Sequence, residues 1–189
     1  MSLFTRRDNT ARPRPPLFNA LATLGGFGHN AFERWAGVGV FLEPELGRRA
    51  TNVLWSLTPV LMWRKAFRNR PDDGPALAFN AGIAVASVLV HFTDWPWSLR
   101  YGFLPWLDEA EGLHPNQLPA YNIVLWTWFA GGLGSILVET RRENLKFAAA
   151  GLAAGPLLLA SARHHFTWAR EQAHSGDTAW SSAFVEKAS

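Results

Sequence analysis

The chain has 189 residues, 48% of them hydrophobic and only 17% charged, with 18 Lys and Arg against 15 Asp and Glu. That is one domain's worth of chain, and the charged share falls below the roughly one quarter usual in soluble domains. It contains no cysteine, which excludes disulfides, thiol nucleophiles, iron–sulfur clusters and cysteine-ligated zinc.

Residues 1–16 carry Arg6, Arg7, Arg12 and Arg14 among prolines and read as a basic flexible tail with no signal-peptide core. Residues 17–32 are apolar and glycine-rich and predict a first span. Residues 33–50 gather charges around a short apolar run and read as a loop or surface helix. Residues 51–66 predict a second span, short and containing Pro59. Residues 76–95, 119–138 and 147–163 predict three more, with glycines suited to close helix contact. Residues 169–189 read as a polar tail. The fold class is therefore all-α, a polytopic integral-membrane helical bundle of about five spans. Three spans with interfacial helices is the alternative.

Arginine and lysine placement orients the bundle. The loops 64–75 and 139–146 are basic and belong to the cytoplasm. Loop 98–117 is acidic and belongs outside. The amino terminus is then cytoplasmic, as in a multi-pass protein of a bacterial inner membrane. Ten tryptophans suit an interfacial belt. Basic residues beside apolar runs are topology signals, and no nucleic-acid patch is present.

Two segments end alike: Ala86–Thr93, with His91, and Ala160–Thr167, with His164 and His165. The echo suggests parallel helical hairpins at 51–97 and 122–168. In the five-span arrangement all six histidines lie at or beyond the outer face. Asp94 follows His91 by three residues, and Glu33 follows His29 by four, so each pair shares a helix side.

Imidazole with carboxylate on neighbouring helices can hold a metal or move protons. His91, Asp94, His165 and Glu33 are the candidate catalytic residues. His29, His91, His164 and His165 are the candidate metal ligands. The sequence leaves the cofactor unknown: these side chains could hold a metal ion or act as acid–base groups without one. A haem between His91 and His165 is disfavoured, since no histidine at mid-span offers a second site. Glu43, Asp108 and Glu139 also stand near membrane boundaries. A carboxylic acid in apolar surroundings can protonate an alkene, and tryptophan faces can stabilise the resulting cation.

Gly28–Glu33 (GHNAFE) resembles a segment of small membrane dioxygenases of hydroxy fatty acids. Those proteins carry further histidine motifs before that segment, and none precedes it here, so no family follows. The functional expectation is a small membrane enzyme acting on a lipid or isoprenoid-type substrate. Its chemistry would be isomerase- or cyclase-like acid–base catalysis, or metal-assisted, at the outer helix ends. Its partners would be membrane lipids and a hydrophobic small molecule, with a second membrane protein as a further candidate. The competing expectation is a non-catalytic subunit of a larger membrane complex.

Overall fold

The computed structural model describes residues 16–68, 70–175 and 179–186, and it is mostly helical. Helix α1 spans Leu17–Trp35. Its first turn leaves backbone N–H groups without helical partners. The Glu139 carboxylate, 120 residues away, accepts from the Phe18 and Asn19 backbone N–H groups at 2.7 and 2.9 Å. Ala22, Gly25, His29 and Glu33 recur every three or four residues and form the buried side of α1.

Helix α2, Glu43–Arg68, bends sharply at Gly47, whose φ of 74° interrupts helical geometry. Val53, Leu57, Val60 and Leu61 make an exposed apolar face on it. Helix α3 is Gly74–Asp94 and buries a run of small residues, Ala78, Ala81, Gly82 and Ala84 among them. Helix α4, Leu118–Gly134, continues into a π-helical turn, Ser135–Glu139. Helices α5, Leu145–Ala153, and α6, Gly155–His174, meet at a break beside Pro156. A short α7, Ala183–Glu186, closes the described chain.

Glycines set the closest helix approaches. On α1 and α4, Gly25 lies against the Trp128 backbone and Gly131 against the Ala22 backbone. On α3 and α5, Gly82 lies against Ala148 and Leu152, and Gly151 against Phe79 and Ile83. A side chain at any of these positions would meet neighbouring backbone, so the glycines fix how near these helices come.

Among the described residues, three helices are long and apolar enough to cross a membrane: Gly74–Asp94, Leu118–Glu139 and Arg142–His174. They and the exposed apolar residues fit a multi-pass membrane protein. Helix α1 and the part of α2 after Gly47 do not meet the same combined test of length and apolarity.

Two regions differ from the sequence reading. The acidic loop contains an antiparallel hairpin, β1 (Trp97–Arg100) and β2 (Leu104–Leu107), so the fold is not purely helical. Asn122 fixes β2 to α4. Its Oδ1 accepts from the Leu107 N–H at 2.8 Å, and its Nδ2 donates to the Leu107 carbonyl at 3.1 Å. The expected polar tail also does more than trail away. Helix α6 runs on to His174, and Trp180, Ala183 and Phe184 are buried. The Ser181 N–H donates to the Gly37 carbonyl at 2.9 Å, which seats this segment on the chain following α1. The basic tail expected at 1–16 lies outside the described residues except for Pro16.

Candidate functional site

Four side chains from three helices meet inside the bundle. Helix α1 supplies His29 and Glu33, one turn apart; α3 supplies His91; α4 supplies Tyr121. His29 is 7% exposed, Glu33 5% and Tyr121 fully buried. The Nε2 atoms of His29 and His91 are 3.0 Å apart. His29 Nε2 also lies 3.0 Å from the Tyr121 hydroxyl and 3.3 Å from Glu33 Oε1. The Tyr121 hydroxyl donates to Glu33 Oε1 at 2.9 Å.

The protonation pattern follows from the partners. His91 Nδ1 lies 2.7 Å from the Ser87 carbonyl. A carbonyl only accepts, so Nδ1 carries the proton and the neutral ring turns an Nε2 lone pair toward His29. His165, from α6, is buried and places Nε2 3.2 Å from the Val38 carbonyl. Its Nε2 is thus the donor, and its Nδ1 is a buried lone pair with no hydrogen-bond partner among the described residues.

A cavity of about 160 Å³ opens on these groups. His29, Glu33, His91 and His165 line it beside Phe41, Trp55 and Trp128. Its wall comes from α1, α2, α3, α4 and α6, and its surface is overwhelmingly apolar. An apolar cavity of about this size holds a benzene-sized group. A neighbouring, more polar cavity shares Val90, His91, Ala162 and Phe166 with it and adds Asp94, Glu111, Arg163 and Arg170.

The structure therefore brings together Glu33, His29, His91 and His165. It does not add Asp94 or His164. Asp94 accepts two hydrogen bonds from Arg163, at 2.7 and 2.6 Å, which commits the carboxylate to that guanidinium. His164 faces outward, 3.7 Å from Glu45. The next residue, His165, turns inward because successive helical positions are about 100° apart.

The other boundary carboxylates have structural partners. Glu139 caps α1. Asp108 accepts from the Ser98 hydroxyl at 2.9 Å. Glu43, 1% exposed, accepts from Arg34, Arg48 and the Val40 N–H. Burial alone would raise its carboxyl, but the two guanidiniums outweigh burial and hold it below the usual carboxylate range. Glu33 differs from all of these: it meets the Tyr121 hydroxyl and the His29 ring.

The donor set also has the composition of a metal site. Ligand atoms of His29, Glu33 and His91 all lie within 4.8 Å of one another.

No family model matches the chain. A stretch of 105 residues is 33% identical to apolipoprotein N-acyltransferase of Caulobacter vibrioides, covering 51% of this chain. The chain spans about 20% of the length of that relative. No solved structure matches. The partial likeness fits a membrane protein in contact with lipid.

Tyr121 was missed by sequence reasoning. It begins an apolar helix, and no spacing rule links it to a histidine 92 positions earlier. Its one sequence signal is rarity, since the chain has two tyrosines beside ten tryptophans.

Proposed function

We propose that this protein is a membrane-embedded enzyme that converts a lipid or isoprenoid-type substrate in the cavity between α1, α2, α3 and α6. One observation carries the reading: a buried carboxylate hydrogen-bonded to tyrosine, two histidines and a third histidine face the same apolar cavity. Burying such groups without cationic partners costs stability, and ionisable groups at membrane depth mark functional sites.

The cavity's lining selects the substrate class. Trp55, Trp128, Phe41 and Phe166 offer aromatic faces to an apolar group, and the adjoining polar cavity receives a polar end. An amphiphile would thus thread past His91, which belongs to both walls. Glu33 with Tyr121 would give or take a proton at the reacting carbon or oxygen, and His165 Nδ1 would serve as a second base. The cluster equally allows metal assistance, since two imidazoles and a carboxylate converge. The partial likeness to an acyltransferase supports a lipid-type substrate but covers too little of that relative to carry its activity over.

In this reading α1 and α2 also cross the bilayer, giving five spans with a cytoplasmic amino terminus. The 21 residues from Arg48 to Arg68 reach about 31 Å, and among the described residues the apolar face of α2 stays exposed. A bacterial inner membrane is the location this orientation supports.

The test incubates purified protein with total membrane lipids and follows species by mass spectrometry. Wild type should consume one amphiphile and release a product. His91→Gln and Glu33→Gln should leave that amphiphile intact. Equal lipid profiles with and without wild-type protein would refute the proposal.

A further inference from the structure

We propose that His29, Glu33 and His91 together bind one divalent first-row transition-metal ion, whose remaining coordination positions open on the cavity. This rests on the cavity being a reaction site and names the ion at its centre.

The separations from His29 to its two partners are those of a coordination shell. With bonds near 2.1 Å, neighbouring ligand atoms stand about 3.0 Å apart at right angles and about 3.4 Å apart in a tetrahedron. His29 Nε2 lies 3.0 Å from His91 Nε2 and 3.3 Å from Glu33 Oε1. These two separations suit one ion held by His29 with either partner, and His91 and Glu33 offer ligand atoms within 4.8 Å of each other, a gap that a small side-chain adjustment around the ion would close.

Proton counting points the same way. His29 Nε2 has three polar neighbours within 3.3 Å: His91 Nε2, the Tyr121 hydroxyl and Glu33 Oε1. Its single N–H can serve one of them well. The Tyr121 proton is directed to Glu33, and His91 Nε2 is a lone pair because Nδ1 donates to Ser87. The centre thus has more acceptors than protons. A cation supplies the missing positive charge and takes a lone pair from each ring and from the carboxylate.

The bonds around His91 and Glu33 match what metal ligands require, while His29 Nδ1 has no hydrogen-bond partner among the described residues. A ligating ring donates its other N–H to a carbonyl or carboxylate, which fixes tautomer and orientation. Ser87 does this for His91. Tyr121 orients Glu33. The buried, unpartnered Nδ1 of His165 on the same cavity wall independently marks room for a further group, such as a metal-bound water or the polar atom of a substrate.

Donor chemistry narrows the ion. Two imidazoles with one carboxylate suit zinc, iron(II), cobalt(II) or manganese(II), whereas calcium and magnesium favour all-oxygen sites. Three protein ligands leave open positions, as in sites that polarise a substrate oxygen or activate water.

The experiment titrates chelator-stripped, full-length protein in detergent with cobalt(II), read by visible absorption, and then displaces it with zinc(II). One equivalent per chain should bind and produce ligand-field bands. His29→Gln and His91→Gln should weaken binding by at least about 100-fold. His164→Gln and His174→Gln should leave it unchanged. Glu33→Asp keeps the charge but withdraws the oxygen, and it should weaken binding about tenfold even if a histidine variant fails to fold. The proposal is overturned if wild type binds no stoichiometric metal, or if His29→Gln and His91→Gln, shown folded by circular dichroism, bind as wild type does. Lipid conversion by stripped protein in excess chelator would remove the ion and leave the enzyme reading intact. Metal binding without any lipid conversion would do the reverse.

Discussion

Glu33 and Glu43 stand ten residues apart, both buried, in opposite company. Glu43 is enclosed by Arg34, Arg48 and a backbone N–H, and its charge is answered on every side. Glu33 sits next to Arg34 in sequence, yet that arginine turns to Glu43 at 2.7 Å. Glu33 is left with Tyr121 and His29. On the proposed function, the difference separates a carboxylate that holds the fold from one held ready for a ligand. A protein that needed only a stable corner would place cations beside both.

The comparison is sharpest under paired substitution. Glu33→Gln should lower lipid conversion by about 100-fold or more, the scale of a lost proton-transfer group. The same change should leave stability unchanged or raised, because a buried ionisable group without a cationic hydrogen-bond partner is replaced by a neutral one. A clear drop in melting temperature with conversion intact would reverse the assignment.

Glu43→Gln should behave oppositely. A largely buried Arg34 and a partly exposed Arg48 would lose their buried partner, costing about 1–3 kcal/mol, while the folded protein converts lipid at a near wild-type rate. Tyr121→Phe should fall between, reducing conversion about tenfold, since it removes the hydroxyl that orients Glu33 and keeps the ring. Conversion equal to wild type would place Tyr121 outside the reaction.

Acid should also distinguish the two carboxylates. Glu43 titrates below the ordinary carboxylate range in the folded protein. Its stabilisation is therefore complete above that range and is lost as pH falls through the lowered folded value. The melting-temperature advantage of wild type over Glu43→Gln should shrink below about pH 4. An advantage that grows in acid would contradict the arginine account.

The smallest effect is expected at Asp94. Asp94→Asn should change turnover by less than about twofold, because the carboxylate is engaged by an exposed Arg163. A large loss would restore Asp94 to the reacting groups.

Much of the site was legible in sequence. His29 and Glu33 announce themselves by four-residue spacing, and His91 and His165 by ending long apolar runs. Charge placement put all of them toward one face. What the spacing could not say is which way each side chain turns. His164 and His165 are adjacent, and only packing decides that the second enters the cavity. Asp94 shares a helix side with His91 in principle, but Arg163 arrives from α6 and claims it. Tyr121 reaches His29 because glycines at 25 and 131 let α1 and α4 approach closely, and that distance lies in no local pattern. The β1–β2 hairpin escaped notice because its strands are four residues long and Pro105 interrupts the second. The burial of Trp180 and Phe184 depends on contacts with Gly37 and Gly112 far along the chain.

The most direct test measures the rate of lipid conversion by Glu33→Gln and Glu43→Gln, each relative to wild type and each below its own melting temperature. The account predicts a near-complete loss for Glu33→Gln and a rate close to wild type for Glu43→Gln. Equal rates in the two variants would contradict it.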